Sequence, residues 1–240
     1  MIGARIILKR GGRDEPEKPF WISFSDLMTA LMVLFLVAMS VALLAVTKTV
    51  TEAERARVER DKGLERLLAE VEQAAKQFPG VSVDRTRNVI DFGDQARFDT
   101  GSHQLKADQA LLLRRFVPNV LEIARSHLGQ QWLKRIVVEG FTDQRGTYLF
   151  NLNLSLQRSQ RVLCVLLNPP SQGDAELSPE EKEQIRELFL VGGYSFNSAK
   201  ASLEESRRIE FRLEFYGVGE EPSLKINSPQ GNFGTCSMGG

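Results

Sequence analysis

From Leu27 to Val46 the chain reads LMTALMVLFLVAMSVALLAV, twenty residues without a charge and with only Thr29 and Ser40 polar. Twenty helical residues rise about 30 Å, the thickness of a bilayer's hydrocarbon core. The run has no polar face, which argues against a buried core helix. It shares a basic start (Arg5, Lys9, Arg10, Arg13) with secretory signal peptides. However, it is about twice the usual length of their apolar stretch, and no clear A-x-A cleavage site follows. Upstream, FWISF extends the apolar run to Phe20, and Trp21 suits the membrane interface, where one edge of the ring stays wet. The reading is a single transmembrane helix over residues 20–46, preceded by a short tail, 1–19.

The remaining composition excludes several function classes. The 240 residues carry 31 basic and 31 acidic side chains, so a nucleic-acid binder relying on a strongly basic surface is ruled out. Two cysteines make no disulfide-rich scaffold. His103 and His127 are the two histidines, and neither H-E-x-x-H nor G-x-x-x-x-G-K-[ST] occurs. No nucleophile–base pair or metal cluster is legible, so the chain reads as a non-enzyme without a cofactor. Five Lys/Arg precede the span and five follow it closely (Lys48, Arg55, Arg57, Arg60, Lys62), so charge leaves the orientation tied. A short tail kept inside and a folded C-terminal domain exported is the simpler arrangement.

Asp26 stands at the start of the span, and its position admits two readings. Ser25 or Asp26 could cap a helix beginning at Leu27. Alternatively Asp26 is a proton site, since ionisable groups in membrane helices mark ion paths. Asp26, Thr29, Ala30, Val33 and Val37 share one face of smaller residues, which suits a helix packed among other helices. Residues 47–80 follow as a connector with dense, mixed charge. Leu64, Leu67, Leu68, Val71, Ala74, Ala75 and Phe78 repeat at helical spacing. That seam either lies on the chain's own domain or pairs with a second copy. Pro79-Gly80 marks a break.

Residues 81–216 alternate strands and helices, which predicts an α+β sandwich. Val81–Phe92 reads as a hairpin. Thr100 or Ser102 would cap a helix reaching about His127, with a kink or break at Pro118. Leu133–Phe141 reads as a buried strand and Thr142–Thr147 as a loop. A helix is expected from Leu152 or Leu154 to Leu167, stopped by Pro169-Pro170. Leu177–Val191 reads as a helix opened by Ser178-Pro179, and Ser206–Phe215 as a closing strand. Residues 217–240 are Gly, Pro and Ser rich and read as a flexible tail. Cys164 is either a buried free thiol or, in an oxidising compartment, a partner for Cys236 that pins the tail.

Two stretches resemble known families. PFWISFSDLMTALMVLFLV (Pro19–Val37) resembles the transmembrane signature of MotB-like stator B subunits, with Trp21, Phe24, Asp26, Met28, Thr29 and Met32 in register. The resemblance implies that Asp26 accepts protons, the coupling ion, and that Thr29, Ala30 and Val33 line the channel. GFTDQRGTYLFNLNLSLQRSQRV (Gly140–Val162), with FDTGS upstream, closely resembles the OmpA-like peptidoglycan-binding domain over roughly 98–215. That implies a site for the diaminopimelate of a peptidoglycan stem peptide, which carries an ammonium and a carboxylate on one side chain. Asp143 would pair the ammonium and Arg158 the carboxylate, which a guanidinium holds with two parallel hydrogen bonds. Thr142 and Asn151 would orient the loop and bond the ligand, and Arg207 or Arg208 would match the family's later arginine pair. Without the motif, Asp143–Arg158 reads rather as a structural loop-to-helix salt bridge. Phe141 and Ser206 depart from the family's His and Asn, and the 168–200 region looks longer and atypical.

The combined layout is similar to that of stator B subunits. It implies a single-pass inner-membrane homodimer with a cytoplasmic N-terminus and a periplasmic, wall-bound domain. The partner would be a ring of MotA-like A subunits, a pentamer. The signature that follows RDEPEK (Arg13–Lys18) looks closer to B subunits of the Zorya anti-phage defence system than to flagellar ones. That implies a proton-driven complex that senses invasion at the envelope. A flagellar-type stator and a passive OmpA- or Pal-like tether are the alternatives.

Overall fold

The computed structural model describes residues 18–168, 176–220, 231 and 233–236. The expected tail before residue 18, the Pro169-Pro170 stop and residues 221–230, 232 and 237–240 of the expected C-terminal tail lie outside the described residues. The chain forms two compact units, Met1–Arg55 and Ala56–Gly240.

The first unit is helical. Helix α1 (Lys18–Ala75) has 58 residues and is long and apolar enough to cross a membrane. The Thr29 hydroxyl donates to the Ser25 and Asp26 carbonyls at 3.0 and 2.9 Å, and Ser40 to Leu36 at 2.7 Å. Hydroxyls satisfied inside the helix are what an apolar solvent requires. Because α1 starts at Lys18, Asp26 lies inside the helix, and the capping reading is corrected. The apolar FWISF joins the helix, and Pro19 is tolerated in a first turn, where its missing N–H costs no bond.

In the second unit the end of α1 belongs to the core. Leu67, Leu68, Val71 and Ala75 are buried with the domain's own apolar residues. Arg60 Nε donates to the Tyr216 carbonyl at 2.8 Å, and a Cβ on Gly63 would overlap the Trp132 indole. The connector's apolar seam is therefore used within the chain, not on a second copy.

Five strands form one sheet in the order β1-β2-β5-β3-β4. They are β1 (Ser82–Asp84), β2 (Val89–Asp91), β3 (Leu133–Gly140), β4 (Phe189–Gly193) and β5 (Ile209–Phe215). All neighbours are antiparallel except β3 and β4, which are parallel. The helices are α2 (Ala107–Arg125), α3 (His127–Trp132), α4 (Tyr148–Leu167), α5 (Pro179–Leu188) and the short α6 (Leu203–Ser206). Ile136, Val138, Ile209 and Phe211 from the sheet pack against Phe116, Leu121, Val162 and Ile185 from the helices. Each such side chain contributes about 1.5–3 kcal/mol through burial.

The expected hairpin, closing strand and buried strand are present. Four details differ. Helix α2 starts at Ala107, not at a Thr100 or Ser102 cap, because Gln109 folds back to accept the Lys106 N–H at 2.9 Å. It also runs through Pro118, held by the buried Phe116, Val117, Val120 and Leu121 on one face. The break falls at Ser126 instead, whose hydroxyl caps α3. Helix α4 begins at Tyr148, earlier than expected, because Thr147 caps it. Phe189–Gly193 is a strand rather than the end of a helix, since its backbone pairs with β3.

On the second face of the sheet, Asp91, Glu210 and Glu139 stand in register across β2, β5 and β3. Glu139 and Glu210 are fully buried. Like charges opposite one another are destabilising on their own. Here Lys200 pairs with Asp91 at 2.6 Å, Arg208 and Arg87 with Glu210 at 2.7 and 3.2 Å, and Arg212 with Glu139 at 2.9 Å.

Cys164 and Cys236 form a disulfide with Cα atoms 5.9 Å apart, so Cys164 is not a free thiol. Gly231 N–H donates to Glu183 Oε1 at 2.7 Å, which places part of the C-terminal tail beside α5.

Gly140 tests this packing. A Cβ there would strike the Ser155 backbone carbonyl, which has no flexible end to move. Gly140→Ala is expected to destabilise the domain by about 2–3 kcal/mol, the usual cost of overpacking, measured by denaturant unfolding.

Candidate functional site

The close approach of β3 to α4 delivers Thr142 and Asp143 to one side of a cavity of about 230 Å³. The turn at 99–101, the 142–147 loop, the start of α4 and Arg207 complete its walls.

Asp143 is 7% exposed at its side chain. Its Oδ1 accepts the Arg145 backbone N–H at 3.0 Å, and its Oδ2 accepts Arg145 Nη2 at 2.7 Å and Arg207 Nη1 at 3.1 Å. Burial by itself would raise its pKa. The hydrogen bonds from Arg145 and Arg207 outweigh burial and hold the carboxyl at about 2, down from 3.8.

Arg158, on α4, is fully buried. Nε donates to the Ser102 carbonyl at 2.9 Å, Nη1 to Phe141 at 2.6 Å and Nη2 to Asp99 at 3.2 Å, and the guanidinium lies 4.8 Å from the Phe98 ring centroid. Burial lowers its pKa to about 10, with Asp143 opposing the shift, so it stays charged at neutral pH. The loop-to-helix salt bridge read from the sequence is not formed: Asp143 pairs with Arg145 and Arg207 instead.

Asn151 donates to the carbonyls of Arg145 at 2.8 Å and Thr147 at 3.2 Å, which pins the loop. Thr142 lines the cavity, and its buried hydroxyl has no hydrogen-bond partner among the described residues. Arg207 is held by the Phe98 carbonyl at 2.9 Å and the Leu203 carbonyl at 3.2 Å. The structure thus brings Thr142, Asp143, Asn151, Arg158 and Arg207 around one cavity. Arg208 is not among the lining residues. It points to the acidic row on the sheet's other face, stacked 4.1 Å from the Phe141 ring centroid.

Sequence reasoning missed Arg145 and Thr100 as parts of the site. Arg145 stood inside the quoted motif, two residues after Asp143, but only the folded loop turns its side chain back onto the carboxylate. Three guanidiniums (Arg145, Arg158, Arg207) and one carboxylate surround the cavity, with N–H donors in excess. Such a wall suits a ligand carrying a carboxylate. Among the described residues, no group of three His, Cys, Asp or Glu could hold a metal.

The other predicted residues, Asp26, Thr29, Ala30 and Val33, lie on α1 in the first unit, exposed and on one helix face.

No family model matches the chain. Over 222 residues it is 46% identical to the Zorya protein ZorB of Escherichia coli O139:H28, covering 92% of this chain and 90% of that one. It is 23% identical over 237 residues to the Zorya protein ZorB of the Crooks strain of Escherichia coli, covering 87% and 93%. Similar solved structures include the cell wall anchor of the T6SS from Pseudomonas aeruginosa (20% identity, 62% of this chain and 97% of that one, TM-score 0.41). A MotB-like protein from Desulfovibrio vulgaris matches at 18% identity over 66% of this chain and 98% of that one, with a TM-score of 0.41.

Two outcomes follow from this geometry. Arg158→Ala leaves the buried Phe141 carbonyl and the part-buried contacts to Asp99 and Ser102 without their donor, and is expected to destabilise the domain by about 2–3 kcal/mol, read by thermal or denaturant melting. Asp143 has a folded pKa of about 2, below its ordinary 3.8, so its contribution to stability is present in full above that ordinary value and lost as pH falls from there towards 2. Asp143→Asn should remove that part of the acid-side loss of stability.

Proposed function

The chain belongs to the ZorB family of Zorya proteins, and on that basis we propose that it is the peptidoglycan-anchored B subunit of a proton-driven, stator-like inner-membrane complex serving anti-phage defence. The observation that carries the proposal is Asp26, a carboxylate inside an apolar helix rather than at its cap. An acid in a membrane span costs about 2.5–3.5 kcal/mol at the helix centre and less near the interface. Such residues face other helices or a water-filled path.

The small-residue face of Asp26, Thr29, Ala30 and Val33 gives a neighbouring helix close access. We assign those neighbours to a second copy of this chain and to a surrounding ring of A subunits. Protonation of Asp26 would couple inward proton flow to movement of that ring. One proton crossing 100 mV releases about 2.3 kcal/mol, so several must pass in each mechanical cycle. Residues 1–19 would be cytoplasmic, 20–46 the span, 47–80 the connector, 81–216 the periplasmic wall-binding domain and 217–240 its tail. The Cys164–Cys236 disulfide supports this orientation, because the periplasm is oxidising.

At the wall, the proposed ligand is the diaminopimelate of a stem peptide. Its carboxylate would take the Arg158 N–H groups left over after the three carbonyls are served. Its ammonium would take Asp143. Thr142 offers a hydroxyl with no other partner.

Asp26→Asn should leave membrane insertion and wall binding intact and reduce phage protection to the level of cells lacking the chain. Full protection by that variant would mark the chain as a passive tether. Asp143→Ala, which spares the structural Arg158, is expected to reduce pull-down by purified sacculi at least about tenfold, since it unpairs a desolvated charge contact. Undiminished pull-down would place the wall site elsewhere.

A further inference from the structure

The three arginines around the cavity are not held alike. Arg158 is buried and tied to three carbonyls. Arg207, 12% exposed at its side chain, is tied to two. Arg145 is 52% exposed, and among the described residues its guanidinium has only Asp143 and the Thr100 hydroxyl as partners. Nε and Nη2 reach Asp143 Oδ2 at 3.2 and 2.7 Å, and Nη2 reaches Thr100 Oγ1 at 3.0 Å. Thr100 belongs to the 99–101 turn and Asp143 to the loop after β3, so the side chain bridges two walls of the cavity.

Asp143 therefore already has a resident cation where a ligand's cation would have to sit. The Arg145 backbone N–H donates separately to Oδ1 at 3.0 Å and would hold the carboxylate in place if the side chain left. The Arg145 end of the pair is half exposed and Arg207 Nη1 also holds Oδ2 at 3.1 Å, so exchanging one cation for another on this fixed carboxylate is cheap.

We propose that Arg145 is a displaceable latch that competes with a ligand's cation for Asp143. The inference rests on the stem-peptide reading above. The free ammonium of diaminopimelate replaces the guanidinium on Asp143 and releases the bridge to Thr100. A ligand without a cation has nothing to exchange and leaves the guanidinium on Asp143.

The test is a two-by-two titration on the full-length chain in detergent micelles. The probes are the tripeptide L-Ala-γ-D-Glu-meso-diaminopimelate and the same peptide acetylated on its free diaminopimelate amine. The forms are the parent chain and Arg145→Gln, with melting temperature as the folding control. Removing the competing, half-exposed guanidinium should tighten binding of the amine-bearing peptide roughly two- to fivefold. Affinity for the acetylated peptide should not change, and Asp143→Asn should cancel the gain. Weaker binding of the amine-bearing peptide by Arg145→Gln, no change, or an equal change for both peptides would overturn the latch while the stem-peptide reading stands. Binding of neither peptide by either form would overturn that reading and the latch with it.

Discussion

The guanidinium of Arg158 is the interaction on which the site depends. It is fully buried and joins α4 to two other segments, the 99–102 turn through the carbonyls of Asp99 and Ser102 and the end of β3 through that of Phe141. Desolvating a guanidinium is costly unless its donors are met, and here three carbonyls and the face of Phe98 meet it. The same group presents its remaining donors to the cavity. It therefore sets the separation between the loop carrying Asp143 and the turn carrying Thr100. A planar fork that stays charged when buried can do both jobs, and a lysine's single ammonium could not.

Charge is handled differently on the sheet's second face. Asp91, Glu210 and Glu139 form a row of acids that would repel one another, yet Lys200, Arg208, Arg87 and Arg212 are interleaved with it. This explains why Arg208, adjacent in sequence to Arg207, has no place at the cavity. Successive strand residues point to opposite faces, and Arg208 is committed to Glu210. In the apolar helix α1, Asp26 is a single acid with no partner cation among the described residues, which supports the proton-accepting role proposed for it.

Much of the second unit was legible beforehand. The strands over 133–140 and 209–215 and the helix start at Ser178-Pro179 were signalled by local pattern and capping chemistry. Asp143, Arg158, Thr142 and Asn151 came from a motif whose spacing reflects one loop-to-helix turn, and Arg207 from a later arginine pair in which Arg208 was an equal candidate. FLVGG was misread because an apolar run after a helix looks like more helix until a neighbouring strand claims its backbone. Arg145 was passed over because an arginine in a loop carries no signal of where its side chain folds.

The sequence by itself determined that one helix is suited to lipid, that it carries an acid, that an apolar seam follows it and that a strand–loop–helix motif holds Asp143 and Arg158. These are short-range properties: solvent preference, helical spacing and turn chemistry act over a few residues. Only the tertiary structure decided that Asp143 pairs with Arg145 and Arg207 and that Arg158 anchors backbone rather than carboxylate. It also decided that the connector's seam serves its own domain and that Cys164 meets Cys236 across a sequence separation of 72. Those choices depend on which distant segments compete for the same buried donors and the same apolar surface. That competition has no local signature and is resolved only when the chain is packed.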